Sequence, residues 1–398
     1  MSVQFIDLPL KQTGKALPAW TYREPEFLAL EEEAIFRRHW HVVCHHSELK
    51  APGDYVVFDL LNDSVIVMRG KDGELRAMMN ACRHRAARLL DGRGNCRTRI
   101  QCPYHGWSYD TTGALKAVPR EADFPDFDVA GCRLNPVELE LFMGFVFIRI
   151  DGQGPSVAEM WGPFGPELEP YRIADMELVE VVETEIWDCN WKIAYDNYQE
   201  SYHVPVGHPA LFRMFGAGQS DRALTSGMAS GIVTLKDKPS ANGFERLYQE
   251  LATRNNSYLP EPLRRSWNFV SMLPNMGFDI YPEGMDFFQV LPLGVDRTLV
   301  RGAVYGLPDV GREERVMRLI NKRIARLTNR EDKELAEMVQ RGLHTAGYTP
   351  GPLAVSEHCI EQFHDRIREV IPVAAEERPP KGISLKLANE SLLQQAAE

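Results

Sequence analysis

Hydrophobic and polar positions change period several times along the chain. Residues 24–40, EPEFLALEEEAIFRRHW, predict a helix, with Pro25 near its start, acids in its first turns, and Arg37 and Arg38 at its close, as the helix dipole favours. After Trp40 the texture is different. DYVVFDLLNDSVIVMRGKDGELRAMMNAC (54–82) is rich in valine and is cut by ND and KDG, which predicts short antiparallel strands. That pattern runs on to FMGFVFIRID (142–151), and GQGPSV (152–157) reads as a linker. EVVETEIWDCNWK (180–192) predicts a strand leading into a helix, and 266–308 predicts a meander of three strands turning at YPEG and GVDRT. REERVMRLINKRIARL (312–327) and EDKELAEMVQRGL (331–343) predict two helices. SEHCIEQFHDRIREVI (356–371) predicts a closing helix capped by Ser356, and the tail after Pro379 reads as polar and loose. The expectation is an α+β chain in three parts: an N-terminal helical segment (1–40) packed on the last domain, a small antiparallel β domain (41–152), and a mixed domain (153–398).

Composition narrows the classes. A chain of 398 residues with 44% hydrophobic content can build a large core, and a formal net charge of -11 argues against electrostatic binding to nucleic acid. Seven cysteines, two of them in a ligand-like pattern, suggest a reducing compartment rather than a disulfide framework, so the expected location is cytoplasmic. The first residues lack a basic stretch followed by an apolar run, and no apolar stretch approaches the ~20 residues that span a bilayer; neither a signal peptide nor a membrane segment is expected.

Two constellations carry chemistry. The first is Cys82-x-His84 with Cys102-x-x-His105. Zinc takes tetrahedral sets of cysteine and histidine. Here, however, each loop supplies one cysteine and then one histidine, the arrangement in which two cysteines hold one iron of a 2Fe–2S cluster and two histidines the other. Pro103 and Gly106 suit tight loops. Arg83, Arg85, Arg88, Arg93, Arg97 and Arg99 crowd the same stretch, either as a solvated loop or as a docking patch for an acidic electron donor.

The second is CNWKIAYDNYQESYHVPVGHPAL, 189–211. If helical, Glu200 and His203 share a face, and Pro205 and Gly207 break the helix so that His208 folds back towards His203. Two imidazoles and one distant carboxylate would form a facial triad for iron with positions left open. Asp332 supplies the acid, with Glu331 as the fallback; an isolated acid at a helix start is otherwise a capping or dipole residue.

At these residues the chain resembles the large subunits of Rieske non-heme iron oxygenases. NACRHRAARL and CPYHGWSYD are similar to the signature loops of that family, Ala86 being a departure where glycine is usual. NWK…DNYQESYH and the ED…E.VQRGL stretch are similar to its iron motif and C-terminal signature. The resemblance implies a Rieske domain over 41–152 and a helix-grip catalytic domain over 153–398. It implies that Cys82, His84, Cys102 and His105 hold a 2Fe–2S cluster and that His203, His208 and Asp332 hold a mononuclear Fe(II). Glu200 matches the carboxylate linking His105 of one subunit to His203 of its neighbour, a position where many aromatic-ring dioxygenases carry aspartate. Asp196 matches a polar position near the iron, with a supporting role. A homotrimer and a separate reductase or ferredoxin are implied, the latter because no dinucleotide-binding fingerprint is present. The expected activity is hydroxylation of a small organic, aromatic or quaternary ammonium molecule, including oxidative loss of a group. A Rieske-type electron carrier without a working second iron site is the alternative, and a zinc-stabilised binding protein a third reading.

The remaining candidates read as structural. His39, His41, His45 and His46 mark entry into the first strand, His358 and His364 lie on the closing helix, and Cys96, Cys132, Cys189 and Cys359 lack paired spacing. Phe287, Phe288 and Gln289 are core or pocket wall, and 213–231 is a lid or a plain flexible loop.

Overall fold

The computed structural model describes residues 14–97, 99–162, 165–180, 182–216, 220–223 and 227–397. They form two compact units, Arg37–Val157 and the remainder on either side of it.

The smaller unit is a β structure. Strands β1 (His41–His45), β2 (Asp54–Leu60), β3 (Asp63–Arg69), β4 (Leu75–Met79), β5 (Arg93–Asn95), β9 (Pro136–Phe142) and β10 (Phe145–Arg149) form one sheet in the order β1-β10-β9-β4-β3-β2-β5, with antiparallel pairing. Short strands β6 (Ile100–Gln101), β7 (Ser108–Tyr109) and β8 (Leu115–Ala117) form a second. The two Cys–His loops leave β4 and β6. Their bases are set in one apolar cluster with Ile66, Met68, Trp107 and Tyr109, so the loops stand on a packed floor. His41 and His45 are buried within β1, as expected of a strand entry.

The larger unit is built on an eight-stranded antiparallel sheet. Its strands are β11 (Glu177–Leu178), β12 (Glu183–Trp187), β13 (Ser220–Ala223), β14 (Met228–Thr234), β15 (Ser266–Met272), β16 (Met276–Tyr281), β17 (Gly284–Gly294) and β18 (Arg297–Gly306), in the order β11-β18-β17-β16-β15-β14-β13, with β12 also on β18. The expected three-strand meander is four strands, because Pro274 and Asn275 make a further turn between β15 and β16. Gly277 on β16 is required by packing: a Cβ there would lie 2.2 Å from the ring of Tyr198.

Besides two short helices, Val157–Trp161 and Gly165–Leu168, the described residues form α1 (Pro25–Glu31), α2 (Trp191–Tyr198), α3 (Val204–Gly207), α4 (Pro209–Phe215), α5 (Gly243–Arg254), α6 (Arg312–Leu343), α7 (His358–Val370) and α8 (Leu385–Ala397). Four differ from expectation. The first helix continues only to Phe36, as a wider turn over Glu32–Phe36, so Arg37 and Arg38 lie beyond it. The pair predicted over 312–343 is one helix of 32 residues. Thr328 and Asn329 cost about 0.7 kcal/mol each in propensity, too little to break a helix whose buried residues run from Met317 to Leu343. The tail, expected loose, forms α8, held at its start where Leu385 N–H donates to Glu26. The closing helix begins at His358, two residues after Ser356.

A buried ion pair fixes α2. Lys192 Nζ lies 2.6 Å from Glu31 Oε1, both side chains fully inaccessible, and Lys192 also donates to the carbonyl of Thr21 while Trp191 Nε1 donates to Glu31. Asn190 caps α2 through Lys192 N–H and accepts no freedom from α6: its own N–H donates to Gln340. These contacts set the two helices that bear the second constellation.

No helix among the described residues is long and apolar enough to cross a membrane.

Candidate metal centres

The two Cys–His loops are copies of one backbone motif. Cys82 N–H donates to Ala87 O and Ala86 N–H to Cys82 O; Cys102 N–H donates to Trp107 O and Gly106 N–H to Cys102 O. The fourth residue after each opening cysteine's partner bond, Ala86 and Gly106, has a left-handed backbone, φ 55° and 75°. That conformation favours glycine, which explains the usual residue at the first of them. The loops bring His84 Nδ1 and His105 Nδ1 to 3.2 Å, with both cysteines buried beneath. Trp107 stacks on His84 at 5.0 Å and 8°. Tyr109 OH lies 3.2 Å from Cys82 Sγ and accepts from Arg83 N–H. Burial pushes the Cys82 thiol up. Two thiols and two imidazoles therefore converge at the surface end of the unit, His105 exposed and Tyr104 beside it. This donor set fits a cluster held by two sulfurs on one side and two nitrogens on the other.

The arginines around these loops are largely engaged. Arg88 makes a fork to Asp59 and also pairs with Asp91, Arg93 pairs with Glu48, Arg83 reaches Asn135, and Arg85 lies over the ring of Tyr104. A basic docking patch would be smaller than the sequence suggests.

In the larger unit α2 ends at Tyr198, so Glu200 and His203 are not on one helix. They sit on the turn between α2 and α3, and Pro205 lies in the first turn of α3, where a missing N–H costs nothing. The side chains still meet. The Glu200 carboxylate accepts from the N–H groups of Tyr202 and His203 and bonds His203 Nδ1. His203 Nε2 and His208 Nε2 lie 3.0 Å apart, and Asp332 Oδ1 from α6 lies 2.9 Å from His208 Nε2 and 3.6 Å from His203 Nε2. Donor atoms of these three residues all fall within 4.8 Å of one another. Glu331 points differently: its Oε2 lies 2.9 Å from His208 Nδ1. Each imidazole is thus held at Nδ1 by a carboxylate, with both Nε2 atoms turned to one point, the way outer carboxylates orient metal-bound histidines. This role of Glu331 has no spacing signal, because the two acids are adjacent in sequence.

Electrostatics agree with a cation at that point. Burial lowers the His203 pKa, but Asp332 and Glu200 outweigh it and raise it to about 9. Burial raises the Asp332 carboxyl, and His203 and His208 reverse this to hold it below its usual range.

Asp196 is brought to a different group. It bonds His364 Nε2 at 3.0 Å and Tyr22 OH at 3.2 Å, tying α2 to α7. The second-constellation residues open onto a cavity of about 410 Å³ walled by α2, α6 and the sheet. Phe288 lines it, stacked on Tyr198 at 5.4 Å. Phe287 lines it too, whereas Gln289 is fully buried in the sheet. Of the stretch 213–231, residues 217–219 and 224–226 lie outside the described residues.

Known families match both units of the chain. Residues 173–373 match the ring hydroxylating alpha subunit (catalytic domain) family, and residues 39–128 match the Rieske [2Fe-2S] domain. The chain belongs to the Rieske oxygenase family. It is 30% identical over 371 residues to the carnitine monooxygenase oxygenase subunit of Acinetobacter pittii (strain PHEA-2), covering 88% of this chain and 95% of that one. It is 28% identical over 387 residues to the glycine betaine monooxygenase oxygenase subunit of Chromohalobacter salexigens, covering 86% and 82%. A solved quaternary ammonium Rieske monooxygenase, studied for carnitine oxidation by gut microbiota and inter-subunit electron transfer, superposes with a TM-score of 0.76 at 25% identity, covering 89% of this chain and 95% of that one. As a Rieske oxygenase the chain carries a 2Fe–2S cluster and a mononuclear iron, and it hydroxylates a small organic substrate with electrons from a separate donor.

Proposed function

We propose that this oxygenase is a monooxygenase of quaternary ammonium compounds, hydroxylating a carbon next to nitrogen so that the C–N bond is lost. The carrying observation is the cavity beside His203, His208 and Asp332: Tyr198 and Phe288 give it aromatic walls, and Asp279 and Asp286 make one face acidic. Aromatic faces and carboxylates are what a cationic nitrogen without N–H groups requires. The names of the relatives support the same class.

In this reading Cys82, His84, Cys102 and His105 hold the cluster, and His203, His208 and Asp332 hold the iron. When bound, the cluster supplies single electrons and the iron supplies oxidation by dioxygen. The protein's own residues do the rest. Glu200 and Glu331 fix the two imidazoles. Tyr109 donates to or accepts from Cys82 Sγ, a contact of the kind that sets a cluster's potential. Asp196 anchors α2 through His364. Glu200 also serves as the link to His105 of a neighbouring subunit in a ring-like homotrimer. Exposed Tyr104 and His105 on one unit, and exposed Tyr202 and Val206 flanking His203 on the other, support such a contact. A reductase or ferredoxin delivers the electrons, and the compartment is the cytoplasm.

The test is turnover with a surrogate reductase, reading oxygen uptake against loss of an N-substituent from choline, glycine betaine and carnitine, with a neutral aromatic as comparison. The protein should bind three irons per chain. Turnover of the aromatic alone would refute the substrate class, and two irons per chain would favour the electron-carrier alternative. In Glu200→Gln both metals should stay while single-turnover electron delivery slows; an unchanged rate would remove Glu200 from the path.

A further inference from the structure

Asp279 and Asp286 face each other directly across β16 and β17. Both are half-buried and line the cavity. Tyr198 OH donates to Asp279 at 2.6 Å, and Tyr281 OH donates to Asp286 at 3.0 Å and approaches Asp279 at 3.4 Å. The groups facing the pair are Tyr198 from α2, Tyr281 and Glu283 from the β16–β17 hairpin, and Asp332 from α6; none is a cation. The lysine and arginines lining the same cavity have partners of their own. Lys322 pairs with Glu180, Arg326 with Glu183, Arg318 with Glu314, and Arg301 lies over the ring of Phe287.

Two buried side chains on the cavity wall also lack partners. Asn321 donates from Nδ2 to Glu283 at 2.8 Å, but its Oδ1 has no donor among the described residues. Trp187 Nε1 has no acceptor among them. An unmet buried acceptor or donor costs about 1–3 kcal/mol.

We propose that the Asp279–Asp286 pair is the cation-selecting wall of the substrate cavity, admitting compact molecules that carry a positively charged nitrogen. This rests on reading the cavity as the substrate chamber, and it adds which residues choose the substrate. Two carboxyls in contact share one proton, because like charges at that distance do not both ionise. The pair then offers one net negative charge to one positive charge. Burial pushes Asp279 up to about 6 and Asp286 well above the usual carboxylate range, in keeping with one proton held between them near neutral pH. A charge pair about 5 Å apart at an effective dielectric of about 20 is worth on the order of a hundredfold in binding. Desolvation takes back part of it, leaving a preference of roughly tenfold.

The experiment uses the iron-loaded enzyme without oxygen. Calorimetry compares choline with 3,3-dimethylbutan-1-ol, which has the same shape and hydroxyl but no charge. The wild type should bind choline about tenfold more tightly. Asp286→Asn keeps the net charge and should keep most of that preference, which also shows that an amide is tolerated in the fold. The Asp279→Asn/Asp286→Asn protein removes the charge and should bind the two within about twofold of each other. A wild type that binds both equally overturns the proposal without recourse to any variant, as does a double variant that keeps the preference. If the double variant keeps its preference and the wild type still demethylates quaternary ammonium compounds, the pair is wrong and the substrate reading stands. If the wild type prefers the alcohol and turns over no ammonium compound, both fall.

Discussion

Alanine at Glu331 and alanine at Asp332 remove adjacent carboxylates that touch the same imidazole from opposite sides. Glu331 reaches His208 Nδ1 and Asp332 reaches His208 Nε2, each at 2.9 Å. Only Asp332 also faces His203 Nε2. It is the more enclosed of the two, 14% exposed against 23% for Glu331. If Glu331 orients and Asp332 ligates, the two variants should differ in kind. Losing an outer carboxylate costs about 10–100-fold in metal affinity, which is about 1.4–2.8 kcal/mol. Losing the anionic donor leaves two neutral imidazoles, which do not complete a facial triad. Anaerobic Fe(II) uptake against a graded chelator measures this, with the cluster followed separately by its visible absorbance. Glu331→Ala should shift the uptake midpoint by one to two decades. Glu331→Gln should shift it less, because the amide oxygen accepts from the same Nδ1–H. Asp332→Ala should take up no iron in the range where Glu331→Ala still fills. The reverse ranking, with Glu331→Ala the more damaging, would refute the geometry.

Three further outcomes are expected. In metal-free protein the folded pKa of His203 is raised to about 9 against an ordinary value of 6.5; the stabilisation is complete below about pH 6.5 and lost as pH rises through about 9, on the order of 3 kcal/mol in all, so urea melts at pH 6 and pH 10 should separate by up to that amount. The same proton competes with iron, so uptake should strengthen from pH 7 to pH 9, and uptake independent of pH would contradict the protonated imidazole. Lys192→Met leaves Glu31 buried without its partner and should cost about 3–5 kcal/mol, while Glu31→Gln/Lys192→Met should recover part of it in thermal unfolding. Gly277→Ala forces the ring of Tyr198 away from β16 and should cost about 1–3 kcal/mol; a stability equal to wild type would mean that Tyr198 moves freely.

What was legible in the sequence is what depends on local period and on short spacing. The Cys82–His84 and Cys102–His105 loops declare themselves because a cluster needs its donors within a few residues of one another. The strands of the smaller unit follow from valine alternation and turn residues. Illegible parts depend on tertiary contacts. Thr328 and Asn329 look like a break between two helices, yet the buried stripe of α6 carries the chain straight through them and so sets Asp332 on the cavity face with Asn321, Ala325 and Thr328. Glu200 and His203 suggested a shared helix face, and the same meeting arises from a turn whose N–H groups grip the Glu200 carboxylate. The family resemblance implies a polar position near the iron for Asp196; its carboxylate on α2 bonds His364 and Tyr22. Asp279 and Asp286 are seven positions apart with no motif between them, and only the β16–β17 register makes them a pair.

The two histidines of the second centre are equivalent in their bonds and unequal in their surroundings. Both have a carboxylate at Nδ1 and a shared Nε2 point, so either could in principle be the entry for an electron. His208 is 2% exposed, closed off by α4 and α6, and its carboxylate comes from the same long helix that bears Asp332. His203 is 20% exposed, on a turn whose neighbours Tyr202 and Val206 present 67% and 88% of their surface. Exposed side chains of that size beside His203 are available to a partner surface. A carboxylate that must bond one imidazole of its own chain and another from outside has to sit beside such a surface. Glu200 does, and Glu331 does not. The asymmetry supports the proposal that electrons enter on the His203 side, with His208 and Asp332 holding the site behind it.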